Sequence, residues 1–137
     1  MDFNNSIYLI IRWYPQVYVI GAFKSLELSK LYTSNIDSSS VTTFHGPINI
    51  IKPYHMLFYP KRIYALIDVS TCSIVGVYTQ PELAYPDFKL NRFITGSINI
   101  SETFENIPSI SPNSNNIINA TPNPSIISGL INKNSTV

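Results

Sequence analysis

The sequence predicts an α+β fold: two repeated strand–strand–helix–strand units that share one core, followed by an extended C-terminal arm. Three observations predict it. A strand running straight into a helix occurs twice, as Val19-Ile20-Gly21-Ala22-Phe23-Lys24-Ser25-Leu26-Glu27-Leu28-Ser29 and as Ile74-Val75-Gly76-Val77-Tyr78-Thr79-Gln80-Pro81-Glu82-Leu83-Ala84. Gly21 aligns with Gly76, Phe23 with Tyr78, Glu27 with Glu82 and Leu28 with Leu83. The chain has 137 residues and is 45% hydrophobic, which suffices for a domain-sized core without disulfides. From about Thr103 the composition shifts to Asn, Ser, Pro and Ile, which favours turns over regular elements.

In the first unit, residues 7–13 are β-branched and aromatic, which predicts a strand. Tyr14-Pro15-Gln16 is the turn, because proline presets φ for a turn corner. Residues 17–23 are the return strand, and Gly21 inside it marks a bulge or a close backbone contact. Ser25 supplies an N-cap, and Glu27 falls in the first helical turn, where the dipole favours a carboxylate. Val41-Thr42-Thr43-Phe44 and Ile48-Asn49-Ile50-Ile51 read as strand, with Gly46-Pro47 as a turn or bend between them. Residues 53–62, bracketed by Pro53 and Pro60, link the halves as a partly buried linker or edge strand.

The second unit repeats this order. Residues 63–69 and 74–78 form a hairpin about Ser70-Thr71-Cys72-Ser73. Thr79 and Glu82 have capping-box spacing, Pro81 suits a first helical turn, and Pro86 stops the helix. Residues 88–95 are a strand, and Gly96-Ser97-Ile98-Asn99-Ile100 matches Gly46-Pro47-Ile48-Asn49-Ile50. The expected domain is therefore 1–102, with repeat one over 7–52 and repeat two over 63–102. A unit of this kind has one apolar face that it cannot bury alone, so two share a core across a pseudo-twofold. Residues 103–137 are the extended arm. Its Ile107, Ile110, Ile117, Ile118, Ile126, Ile127, Leu130 and Ile131 suit docking into grooves of a neighbour.

Composition narrows the chemistry. Charged residues make up 12% of the chain, about half of the usual ~25%, which favours a surface partly covered by a partner. A net charge of +1 gives no electrostatic footprint for nucleic acid. Cys72 is the one cysteine, so no internal disulfide and no Cys-based zinc site can form within one chain. It is expected as an exposed thiol in a hairpin turn. His45 and His55 lie apart from any Cys/His/Asp cluster and read as surface or linker residues. Asp68 reads as a strand-end surface charge, and Glu82 as a helix cap. No Gly-x-Gly-x-x-Gly or Walker lysine is present. No catalytic, metal or cofactor-binding residue is therefore expected, and no cofactor. The chain opens without a basic leader and has no apolar run long enough to span a membrane. It is expected to be intracellular rather than secreted.

The runs Ile63-Tyr64-Ala65-Leu66-Ile67-Asp68, Ile74-Val75-Gly76-Val77-Tyr78-Thr79 and Glu82-Leu83-Ala84 form a hairpin-plus-helix module. It resembles modules in uncharacterised proteins of large double-stranded DNA viruses, and the Asn/Ile/Ser/Tyr-rich usage is similar to that of AT-rich viral genomes. The resemblance covers roughly residues 7–32 and 63–88. The first copy departs from it at Arg12, where the second has Asp68, and at Leu26, where the second has Pro81. The resemblance implies a virion location. With low charge, the Ile-studded arm and the absence of any site, the expectation is a non-enzymatic structural role as a minor capsid or cement component bridging larger capsid proteins or copies of itself. The rival expectation is an intracellular interaction or regulatory protein that binds a host factor or nucleic acid.

Overall fold

Alternation along the first strand sets the architecture. In the computed structural model, which describes residues 6–14, 16–33, 41–53, 58–101 and 117–135, β1 spans Ser6–Tyr14. Ile7, Leu9, Ile11 and Trp13 point to one side and are fully buried. β2 (Val17–Phe23) returns antiparallel to it. Its pairing slips between Ile10↔Gly21 and Ile11↔Val19. That bulge changes the parity of the strand, so Val17, Val19 and Ala22 face inward while Tyr18, Ile20 and Phe23 face outward. β4 (Arg62–Asp68) and β5 (Ser73–Tyr78) form a second hairpin, with a slip between Leu66↔Gly76 and Ile67↔Ile74.

Long-range pairings close these hairpins into a barrel. β3 (Val41–Ile51) runs antiparallel to β1, then parallel to β5 through Ile50 and Ile51. β7 (Ile98–Ser101) runs antiparallel to β4 and parallel to β2. The order β1-β3-β5-β4-β7-β2 returns to β1, so six strands close on themselves. β6 (Arg92–Ile94) adds to β4. Eight strands already leave an interior just wide enough for side chains, and six leave less. Here it is filled by aliphatic side chains from every barrel strand.

Two helical segments cover the outside. α1 (Leu26–Thr33) lays Leu28 and Tyr32 over Ile10, Tyr18, Ile20 and Phe23, and the Ser25 hydroxyl accepts from Leu28 N–H at 3.2 Å, the cap the sequence predicts. A 3-10 helix over Pro81–Asp87 lays Leu83 and Ala84 over Leu66 and Tyr78. Here the expectation of a capping box fails. Gln80 is the N-cap residue, no side chain caps the helix, and Thr79 Oγ1 is buried without a hydrogen-bond partner among the described residues. Pro81 at the start and Pro86 inside favour the tighter helix, since a proline ring clashes with the carbonyl four residues back in an α-helix.

Three further expectations are corrected. β3 continues as one strand through Gly46-Pro47, whose peptide is cis, instead of turning there, although its pairing with β1 slips at this point, between Ile7↔Ile48 and Leu9↔His45. The strand expected over 88–95 shrinks to Arg92–Ile94, because Asn91 adopts a left-handed φ of 71° just before it. The extended arm is the third. Of residues 103–137, those over 117–135 form β8 (Ile117–Ile118), antiparallel to β2, and α2 (Pro124–Ser135). Asn123 caps α2, with its Oδ1 accepting from Ser125 N–H at 3.0 Å, and Pro124 stands where a helix lacks a partner for N–H anyway. The same Asn123 donates its backbone N–H to Val69 O at 3.0 Å and Nδ2–H to Ser70 O at 3.2 Å, which ties α2 to the β4–β5 turn.

Gly76 is fixed by packing. A Cβ there would lie 2.5 Å from the Tyr78 hydroxyl, itself held by donating to Asp87 Oδ2 at 2.9 Å. Gly76→Ala is expected to destabilise the chain by about 1–3 kcal/mol, as overpacking does. Thermal unfolding of the variant checks this, and an unchanged midpoint would contradict the packing.

Candidate interaction surface

Among the described residues, aliphatic side chains from every barrel strand fill the interior, which turns attention to the surface. Among the described residues, no three His, Cys, Asp or Glu side chains gather where a metal ion could be held. No helix among the described residues is long and apolar enough to cross a membrane. Attention therefore falls on large apolar side chains left exposed.

Four of them fall within nine residues. Tyr85 is 54% exposed, Phe88 40%, Leu90 89% and Phe93 37%. The 3-10 geometry explains the first pair, because side chains three apart eclipse in such a helix. Ala84 faces the core and Asp87, three on, binds the Tyr78 hydroxyl. Tyr85 and Phe88 share an outer face, with rings stacked at 5.4 Å. The turn that follows is pinned at several points. Phe88 N–H donates to Tyr85 O, Arg92 N–H to Lys89 O, and Arg92 Nη1 to Asp87 O at 2.9 Å. Arg92 Nε also donates to Asp68 Oδ2 at 3.1 Å. The backbone of this segment is thus held in place, with Tyr85 and Phe88 in contact, while Phe93 opposes Ile67 on the other face of β6.

Asp68 anchors this arrangement and is not the surface charge expected of it. It is buried, because its carboxylate accepts from Ser70 N–H at 2.9 Å, Thr71 N–H at 3.3 Å, the Ser70 hydroxyl and Arg92. Cys72 is likewise buried rather than exposed, at 8%, since the turn residue adopts a φ of 51° and turns its side chain into the core. Burial pushes its thiol up, away from the thiolate.

At the barrel's turn end, α2 leaves a cleft of about 350 Å³ walled by Trp13, Tyr14, Thr121, Pro122, Pro124 and Ile127. Trp13 Nε1–H donates to Thr43 Oγ1 at 2.6 Å, and that oxygen is 2.6 Å from His45 Nε2. A hydroxyl has one donor and two acceptor lone pairs, so Thr43 can accept from Trp13 and still bond His45 Nε2 in either tautomer of the imidazole. His45 is thus a half-buried, hydrogen-bonded residue rather than a surface one, and burial lowers its pKa below 6.5. His55 lies outside the described residues.

A lowered folded pKa means that the unfolded chain binds more protons between that pKa and 6.5, so stability rises with pH across this window and is level above it. Urea midpoints are expected to fall as pH drops from 7 to 5, and His45→Gln should reduce that fall. An equal fall in both proteins would contradict it.

Of the eight arm residues singled out in the sequence, Ile118 and Ile127 are buried at 4% and 7% in the chain's own core. Ile126 and Leu130 pack partly against that core, and Ile117 against the cluster beneath α1. Ile131 lies in α2, while Ile107 and Ile110 lie outside the described residues. The five whose side chains are described are not gathered into one outward face. The signal for the exposed patch was available in the sequence: three aromatics and a leucine interleaved with Pro86, Asp87, Lys89 and Asn91, a turn-forming composition that belongs on the surface. The chain matches no protein family model, no curated protein and no solved structure.

Proposed function

We propose that the chain is a non-enzymatic assembly protein that acts by docking the exposed apolar segment over 85–93, with the Tyr85–Phe88 pair as its anchor, onto a larger protein. The observation that carries this is the fixed exposure of four large apolar side chains on one pinned segment, in a chain with few charges. Clusters of this kind mark interaction sites, and aromatic anchors dominate binding energy when a partner desolvates them. The resemblance to modules of large DNA viruses supplies the setting: a minor capsid or cement component that bridges larger capsid proteins.

The same reading treats the barrel as two copies of one strand–strand–helix–strand unit. Strand registers support it. Ile7↔Ile48 has its counterpart in Ile63↔Ile98, Ile10↔Gly21 in Leu66↔Gly76, and the parallel pair Ala22↔Ile100 in Val77↔Ile50. Both hairpins slip at the same step.

Quantifying the chain in purified particles tests the setting, and a Phe88→Glu/Leu90→Glu double variant tests the patch. The wild-type chain is expected at fixed stoichiometry, with the variant's incorporation reduced at least tenfold at unchanged thermal stability. Absence of the wild-type chain from particles would leave the regulatory alternative. Normal incorporation of the variant would remove the patch.

A further inference from the structure

We propose that β8 and α2 form an exchangeable arm that can leave its own barrel and seat, with the same contacts, on the barrel of a second copy of this chain. This goes beyond the patch-mediated reading and does not depend on it.

The first ground is what holds the arm. Its seat is a compact set of contacts at one end of the barrel: Ile117 and Ile118 against Tyr18 and Val17, Asn123 on Val69 O and Ser70 O, and Ile127 in the core beside Trp13. The helix has little stability of its own. In Pro124–Ser135, three serines, two asparagines and a mid-helix glycine leave few good helix formers. Gly129 is exposed with open space where a Cβ would stand, so packing does not require it. A short helix of this composition forms because it is docked. Once detached, it offers its isoleucines to whichever seat is open.

The second ground is chain length. β7 ends at Ser101, beside Phe23, and β8 begins at Ile117, beside Tyr18 on the same strand. Five residues along β2 separate those positions, about 17 Å. Residues 102–116 connect them, and that length of chain can reach roughly 50 Å. The connection is about three times longer than the home seat needs, and long enough to reach a neighbour. Exchange keeps every contact and gives up only the tether's advantage, an effective concentration in the millimolar range. It therefore becomes competitive when copies are packed at that density, as in an assembled particle, and is silent in dilute solution.

The test shortens the tether. Removing residues 104–115 leaves three connecting residues with a reach of about 14 Å, too short for the home seat. By light scattering at micromolar concentration, the full-length chain should be a monomer and the shortened chain a dimer of unchanged circular dichroism. A shortened chain that stays monomeric, or whose 117–135 segment is cut by protease, overturns the proposal. Should the shortened chain precipitate, the full-length chain decides. An equimolar mixture of isotope-labelled and unlabelled protein at millimolar concentration should give interchain NOEs between Ile118 and Val17 and between Ile127 and Trp13. Their absence overturns the exchange. Neither measurement reads the Tyr85–Phe93 patch, so either proposal can fail without the other.

Discussion

Trp13→Ala is expected to lower the unfolding free energy by about 3–5 kcal/mol, the range for truncating a fully buried large aromatic. Trp13 has no exposed surface and lies where the β1–β2 turn, the start of β3 and α2 converge. Its loss would merge the vacated volume with the adjoining cleft of about 350 Å³, so the walls have little means of collapsing onto the gap. It would also remove the Trp13 Nε1–H that donates to Thr43 Oγ1, the oxygen 2.6 Å from His45 Nε2. For a chain of this size, roughly 3–6 °C per kcal/mol gives a drop in Tm of about 10–30 °C. Trp13→Phe keeps most of the ring and loses the N–H, and should cost about 1–2 kcal/mol. Both are read by circular dichroism in urea, since the substitution removes the one tryptophan and its fluorescence. A loss below about 1 kcal/mol in Trp13→Ala would mean that the residue does not sit in the core.

The local elements were legible where local physics decides them. The β-branched runs of β1 and β4, the bulge at Gly21 and the Ser25 cap follow from propensity, parity and hydrogen-bond need, and each is present. Barrel closure was not legible, because it depends on two parallel pairings, β3 with β5 and β7 with β2, between residues far apart in sequence. α2 was missed for a different reason. Prolines among Asn and Ser read as breakers, whereas Asn123-Pro124 ahead of Ile126, Ile127, Leu130 and Ile131 is a helix start followed by a helical apolar spacing. Asp68 and Cys72 were placed at the surface by residue type and turn position, and tertiary contacts bury both. The apolar patch has no periodic signature. The exposure of Tyr85 depends on which face of the 3-10 helix meets β4 and β5, whereas Phe88, Leu90 and Phe93 lie beyond the helix, at its cap, in the turn and in β6.

Asp68→Ala is expected to cost about 2–4 kcal/mol, because it strips partners from groups that cannot all turn to water. Its side chain is 12% exposed and that of Arg92 23%. Removal leaves the Ser70 and Thr71 N–H groups without their acceptor and Arg92 Nε without its carboxylate, while Arg92 Nη1 still holds Asp87 O. The β4–β5 turn then loosens beneath Asn123, which binds Val69 O and Ser70 O, so the loss should reach α2 as faster amide exchange there. Asp68→Asn keeps an acceptor oxygen for the turn and should cost about half as much. The two variants also separate charge from geometry through pH. The Ser70 hydroxyl above all, then Arg92 and the backbone N–H groups of Ser70 and Thr71, hold the Asp68 carboxyl below 3.8 against the opposing effect of burial. A depressed folded pKa contributes stability that is present above 3.8 and is lost as pH falls from there through the folded value. Both variants should therefore show a shallower loss of stability on acidification below pH 4 than the wild-type chain, although they differ at neutral pH. Urea midpoints measured from pH 7 down to pH 2.5 read both effects. If wild type and Asp68→Asn lost stability in parallel throughout, the carboxylate would not be charged and paired in the folded chain.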